Sequence, residues 1–156
     1  MKNIGLLVLV ILLLAGCENN DGFKNSLDNS QISEGDIEYF QNLVGDTVLF
    51  TVDQSGLRPD AISILKAQAD WLKEKRFLPI TIEGHADEQG TREYNLALGA
   101  RRATAVREFL IAKGIEQDRI SIVTYGKERP LRVCSNEDCW SKNRRAKTVV
   151  GKKIVE

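Results

Sequence analysis

Strand-like and helix-like patterns alternate along most of this chain, and that alternation limits the fold to few choices. Thr47-Val48-Leu49-Phe50 is β-branched and apolar and reads as a strand. From Pro59, a residue suited to a helix first turn, Ile62, Leu65, Ala69 and Leu72 recur at helical spacing to about Lys75. Pro79 to Glu83 is a second strand, ended by Gly84. A polar loop from His85 to Arg92 leads to a second helix, Glu93 to Lys113, with Gly114 placed for a left-handed cap. Arg119 to Tyr125 is a third strand, a long connection follows, and Ala146 to Val155 is the last strand. Strands separated by helices need crossovers and so a parallel component. The last two strands, with no long helix between them, predict an antiparallel member. The expected fold is an α/β sandwich of the α+β kind, β-α-β-α-β-β, with a mixed four-stranded sheet.

The first residues do not belong to that pattern. A lone Lys2 precedes an apolar run from Ile4 to Leu13, closed by Leu14-Ala15-Gly16-Cys17. A basic start, a short apolar core and small residues before a cleavage point make a secretory signal peptide, and the run is shorter than the about 20 residues a membrane-spanning helix needs. Cys after Leu-Ala-Gly resembles the lipobox of bacterial lipoproteins. That resemblance implies cleavage before Cys17, acylation of Cys17 and attachment to a membrane through its acyl chains. Residues 1–16 are then the signal peptide. Residues 17–36, rich in Asn, Asp, Ser and Gly, bury too little to offset chain entropy and read as a flexible tether. Ser33-Glu34-Gly35-Asp36 can cap a short helix reaching Leu43, and residues 37–156 form the folded domain.

Charge is balanced, with 22 basic and 22 acidic residues, so no basic field favours nucleic acid as a partner. Export to an oxidising compartment predicts a disulfide between Cys134 and Cys139. The competing reading, a metal pair, needs two more ligands, and His85 is the single histidine, far away in sequence. No nucleophile accompanies His85, Asp87 and Glu88, so neither catalysis nor a cofactor is expected.

The second helix carries an anomaly. Asn95, Leu98, Arg102, Val106 and Phe109 share one stripe, so Arg102 points inward while Arg101 is turned to water. A guanidinium aimed inward needs an anionic partner. Asp87, in the loop before this helix, lies near its N-terminus. Two readings follow: Asp87 and Arg102 pair with each other, or they grip the ammonium and carboxylate of a zwitterionic ligand.

The stretch Gly84-His85-Ala86-Asp87-Glu88-Gln89-Gly90-Thr91-Arg92-Glu93-Tyr94-Asn95, continuing through Leu98, Gly99 and Arg102, resembles the signature of the OmpA-like peptidoglycan-binding domain family. So do Ser121 to Pro130 and Ser141 to Ala146. The resemblance implies binding of the diaminopimelate-containing peptide stem of peptidoglycan, with Asp87 on the ammonium and Arg102 on the carboxylate. It implies supporting roles for Thr91, Tyr94, Asn95 and Leu98. A Phe-Asp pair lines the site in the family; here it reads Val52-Asp53, so Asp53 is retained and the aromatic wall is not. Lipid-anchored members sit in the outer membrane with the domain in the periplasm, and also bind periplasmic Tol proteins in envelope integrity and cell division. The expected function is thus a link from outer membrane to cell wall. The alternative is a lipid-anchored periplasmic protein-interaction module without wall binding.

Overall fold

The computed structural model describes residues 33–151. The signal peptide, Cys17, nearly all of the expected tether and the tail after Gly151 lie outside the described residues. Helix α1 spans Glu34–Tyr39, capped by Ser33, whose hydroxyl accepts the Asp36 N–H at 3.1 Å. A π-helical turn, Phe40–Gly45, continues it. The short helix predicted from Ser33 to about Leu43 is therefore present, and its first three residues fall inside the segment expected as tether.

Strand β1 (Thr47–Leu49) is followed by helix α2 (Pro59–Glu74), strand β2 (Ile80–His85) and helix α3 (Arg92–Ala112). A 3-10 turn at Gln117–Arg119 leads into β3 (Ile120–Gly126). Helix α4 (Glu137–Asn143) and strand β4 (Arg145–Val150) close the domain. The sheet order is β1-β4-β2-β3. β2 and β3 are parallel, as the crossover through α3 requires, and β4 is antiparallel to both its neighbours, β1 and β2. The mixed four-stranded sheet is as predicted.

Two expectations need correction. The last strand begins at Arg145 and, within the described residues, ends at Val150, because Gly151 leaves the strand with φ +77°. The connection before it is not all loop, since α4 forms there. Its seven residues show no apolar repeat; it is held by the Asn136 side chain, which accepts the Asp138 N–H at 3.0 Å, and by acidic residues in its first turn.

Both long helices cover one face of the sheet. Ile80 and Ile82 of β2, with Ala146 and Val150 of β4, meet Leu65, Ala69 and Leu72 of α2 and Ala103, Val106 and Leu110 of α3 in a single core. Gln68 of α2 spans the two layers, accepting from the Thr148 hydroxyl at 2.8 Å and donating to the Gly45 carbonyl at 2.7 Å. The seam between α3 and β2 is unusually close. A Cβ on Gly84 would stand 1.9 Å from the Gly99 carbonyl oxygen, so these two glycines let helix and strand backbones touch. This is the physical reason for a glycine in the middle of α3.

Candidate functional site

The pairing of β2 with β3 slips by one residue after Gly84: Gly84 stands opposite Thr124, and His85 opposite Gly126. Such a bulge bends the strand. The Ala86 N–H then bonds the Gly126 carbonyl at 2.8 Å, and the chain delivers Asp87 to the N-terminal end of α3. Gly126, with φ +50°, lies where a Cβ would be 2.9 Å from the Leu96 nitrogen, so the β3 end and the helix start are pressed together. Thr91 caps α3, its hydroxyl accepting the Tyr94 N–H at 3.2 Å. Asn95, 1% exposed, ties the loop to the helix by donating to the Gln89 carbonyl at 2.7 Å. Lys127 secures the same loop through the Gly90 carbonyl at 2.7 Å.

Between this loop, α3 and the segment after β1 lies an open cleft of about 470 Å³, lined by Val52, Asp53, Asp87, Gln89, Gly90, Tyr94, Asn95 and Leu98. Five sequence candidates, Asp53, Asp87, Tyr94, Asn95 and Leu98, are therefore brought together. Thr91 stands beside the cleft as a helix cap. Asp53 is held in the left-handed region, φ +57°, and accepts a short hydrogen bond from the Tyr94 hydroxyl. That bond to the Asp53 carboxylate pushes the Tyr94 phenol pKa up.

Arg102 lies beneath the cleft rather than on its wall. Its guanidinium is fully buried and donates to three carbonyls: Nε to Gln54 at 2.9 Å, Nη1 to His85 at 2.8 Å and Nη2 to Thr51 at 3.1 Å. It also rests over the Phe50 ring, 5.2 Å from its centre. Burial lowers its pKa to about 10, so it remains charged at neutral pH. Arg102 thus fastens the 51–54 segment, and with it Val52 and Asp53, to α3. Arg101 is exposed, near the Tyr94 ring, as the stripe predicts.

Of the two readings, the direct Asp87–Arg102 pair is not formed. Asp87 pairs instead with Arg144, Nη1 to Oδ2 at 3.2 Å, while its Oδ1 accepts the Gln89 N–H at 3.2 Å. Arg144 is shared with Glu137, which accepts from both Nη1 and Nη2. The hydrogen bond from Arg144 holds the Glu137 carboxyl below its ordinary value, and the guanidinium is raised in turn. Arg144 was absent from the sequence candidates, although it lies in the Ser141 to Ala146 stretch that carries part of the resemblance. Trp140 closes this side, its Nε1 donating to Glu88 at 3.1 Å. Cys134 and Cys139 are joined as a disulfide, Cα atoms 5.6 Å apart, and this staples the start of α4.

His85 departs from expectation. It ends β2 rather than sitting in a loop, is 2% exposed, and neither ring nitrogen has a hydrogen-bond partner. Desolvation, helped by the charges of Arg145, Arg129 and Lys147, lowers its pKa to about 3 and keeps it neutral. No cluster of His, Cys, Asp and Glu suited to a metal ion occurs among the described residues.

Residues 49–145 match the OmpA family. A peptidoglycan-associated lipoprotein of Agrobacterium fabrum is 47% identical over 146 residues, covering 90% of this chain and 82% of that protein. Another, of Mesorhizobium japonicum, is 44% identical over 155 residues, covering 96% and 92%. The chain belongs to the OmpA family, with the peptidoglycan-associated lipoproteins. The crystal structure of the peptidoglycan-associated lipoprotein from Burkholderia pseudomallei superposes with a TM-score of 0.68 at 37% identity, over 70% of this chain and 95% of that one. Proteins of this family are structural and binding proteins, and the chain is not an enzyme.

Proposed function

We propose that this protein is an outer-membrane lipoprotein that binds peptidoglycan non-covalently and so links the outer membrane to the cell wall. The ligand is the diaminopimelate end of the stem peptide, which carries an ammonium and a carboxylate on one carbon. The observation that carries the reading is the cleft itself: two carboxylates, Asp53 and Asp87, face a space of about 470 Å³ with Tyr94, Asn95 and Leu98 around them. Asp87 receives the ammonium. Arg102 has five N–H donors and spends three on carbonyls. Its charge, beneath the cleft, serves the carboxylate. Val52, half exposed, stands where relatives of this family carry an aromatic wall and leaves that side of the cleft lower. The anchor is acylated Cys17, with the domain in the periplasm, where Tol proteins are its further partners in envelope integrity and cell division.

Calorimetry with a diaminopimelate-containing stem peptide tests the clamp. Asp87→Asn and Arg102→Ala should each cost about 2–5 kcal/mol of binding, part of it the penalty of an unpaired buried charge. Arg101→Ala should cost little. Because Arg102→Ala also strips three buried carbonyls of a donor, circular dichroism must show a folded variant. Folded Asp87→Asn that binds like the parent, or Arg101→Ala that does equal damage, refutes the assignment.

A further inference from the structure

Two carboxylates share one guanidinium at the edge of the cleft. Arg144 is fixed on every side: its N–H bonds the Trp140 carbonyl at 3.0 Å, its carbonyl accepts the Phe50 N–H at 2.8 Å, and its Nε donates to the Phe50 carbonyl at 3.2 Å. Its side chain is 6% exposed, and so cannot follow a moving partner. Nη1 is divided between Asp87 Oδ2 and Glu137 Oε2, each at 3.2 Å, while Nη2 serves Glu137 alone. Nη1 carries two N–H groups, so Glu137 takes an N–H from each of the two terminal nitrogens while Asp87 is held through one N–H of Nη1, by one oxygen. Its other oxygen accepts one backbone N–H and keeps capacity for a second donor.

The charges make this consequential. Asp87 and Arg144 alone sum to zero, and a neutralised carboxylate attracts an ammonium weakly. Glu137, whose side chain is 67% exposed, brings the triad to one net negative charge beside the ligand space. Glu137 belongs to α4, the helix stapled by Cys134–Cys139, and so holds this position as part of a built element.

We propose that Arg144 is the positioning residue of the cleft, orienting Asp87 toward the ligand's ammonium, and that Glu137 sets the specificity for a cationic ligand by keeping Arg144 from neutralising Asp87. Neither residue lines the cleft; both act through Asp87. The inference rests on the reading of the cleft as a diaminopimelate site.

The test uses two tripeptides, one ending in meso-diaminopimelate and one in 2-aminopimelate, which lacks the second ammonium. Their affinity ratio is measured by calorimetry for the parent, Glu137→Gln and Arg144→Lys, with thermal melts alongside. The parent should favour diaminopimelate. Glu137→Gln should lower the ratio about threefold or more, the scale of a partly exposed charge pair, chiefly by weakening the diaminopimelate peptide. Arg144→Lys, which cannot hold both carboxylates in a fork, should lower it too. Fully structural roles predict lower melting temperatures with an unchanged ratio, and that result overturns the proposal. If Arg144→Lys does not fold, Glu137→Gln, at an exposed side chain, decides alone. A parent that fails to discriminate between the peptides refutes the proposed function instead, and so separates the two failures.

Discussion

Gly84→Ala should be among the most damaging single-methyl changes in this domain. The new Cβ would stand 1.9 Å from the Gly99 carbonyl oxygen, 2.6 Å from the Gly99 carbonyl carbon and 3.2 Å from the Ala103 Cβ. Two of these three obstacles are backbone atoms of α3, so no rotamer change relieves them. Reaching an ordinary contact of about 3.5 Å requires the helix to retreat by roughly 1.5 Å. That retreat loosens Ala103, Val106 and Leu110, which are all fully buried against the sheet. Overpacking costs about 1–3 kcal/mol where side chains can adjust; here it should reach about 3 kcal/mol or more. A loss of that size lowers the melting temperature by about 10 °C or more.

Gly99→Ala provides the comparison. Its Cβ meets the Thr124 hydroxyl at 2.4 Å and the Gly84 carbonyl oxygen at 3.0 Å. Thr124 can turn away only by giving up its 2.9 Å bond to the Leu96 carbonyl and the 3.2 Å bond it accepts from the Gly126 N–H, and the Gly84 carbonyl still stands at 3.0 Å, so Gly99→Ala should cost about 1–2 kcal/mol, less than Gly84→Ala. Urea denaturation followed by circular dichroism measures both. The same Gly84 variant should bind stem peptide more weakly even where folded, because Asp87 and Asn95 lie on the two sides of the seam it wedges apart. If Gly84→Ala stays within about 1 kcal/mol of the parent, or Gly99→Ala costs more, the close-contact account is wrong.

His85 should make stability depend on pH. Its folded pKa of about 3 lies below the unfolded value near 6.5, so the unfolded chain takes up the proton first and stability falls as pH drops from about 6.5 toward 3, by up to about 1.4 kcal/mol per unit. Between pH 7 and 5, above the range of the acidic groups, denaturation of His85→Leu should show this slope flattened; an unchanged slope assigns it elsewhere. Cys17→Ser should leave an unacylated precursor outside the outer membrane, since stable attachment takes two acyl chains or an equivalent second signal. Recovery of that variant in the outer-membrane fraction after cell fractionation would count against the lipoprotein reading.

Much of this domain was legible before any coordinates. Apolar period separated the strands from the two long helices because burial is imposed locally, residue by residue, on a pleat or a turn. The stripe Asn95, Leu98, Arg102, Val106, Phe109 gave an inward guanidinium; the first four are buried and Phe109 is half-buried. The cluster of Asp87, Tyr94, Asn95 and Leu98 around one cleft was implied by the motif they share. Helix α4 escaped notice because it has no apolar period; contacts to residues distant in sequence, Glu88 and Asp87, help hold it and its flanking Arg144.

What the sequence determined by itself is the four strands and the two long helices, the inward direction of Arg102 and the kinship of the cleft residues. Only the tertiary structure decided which strand lies beside which, since β4 enters between β1 and β2 and thereby brings Arg144 to Asp87, 57 residues away in the chain. The sequence showed that a buried guanidinium needs partners, and three carbonyls from two separate segments answered for Arg102. A side chain's direction follows from the local turn of its backbone. The identity of its partner follows from how distant segments close around it, and that is settled by packing.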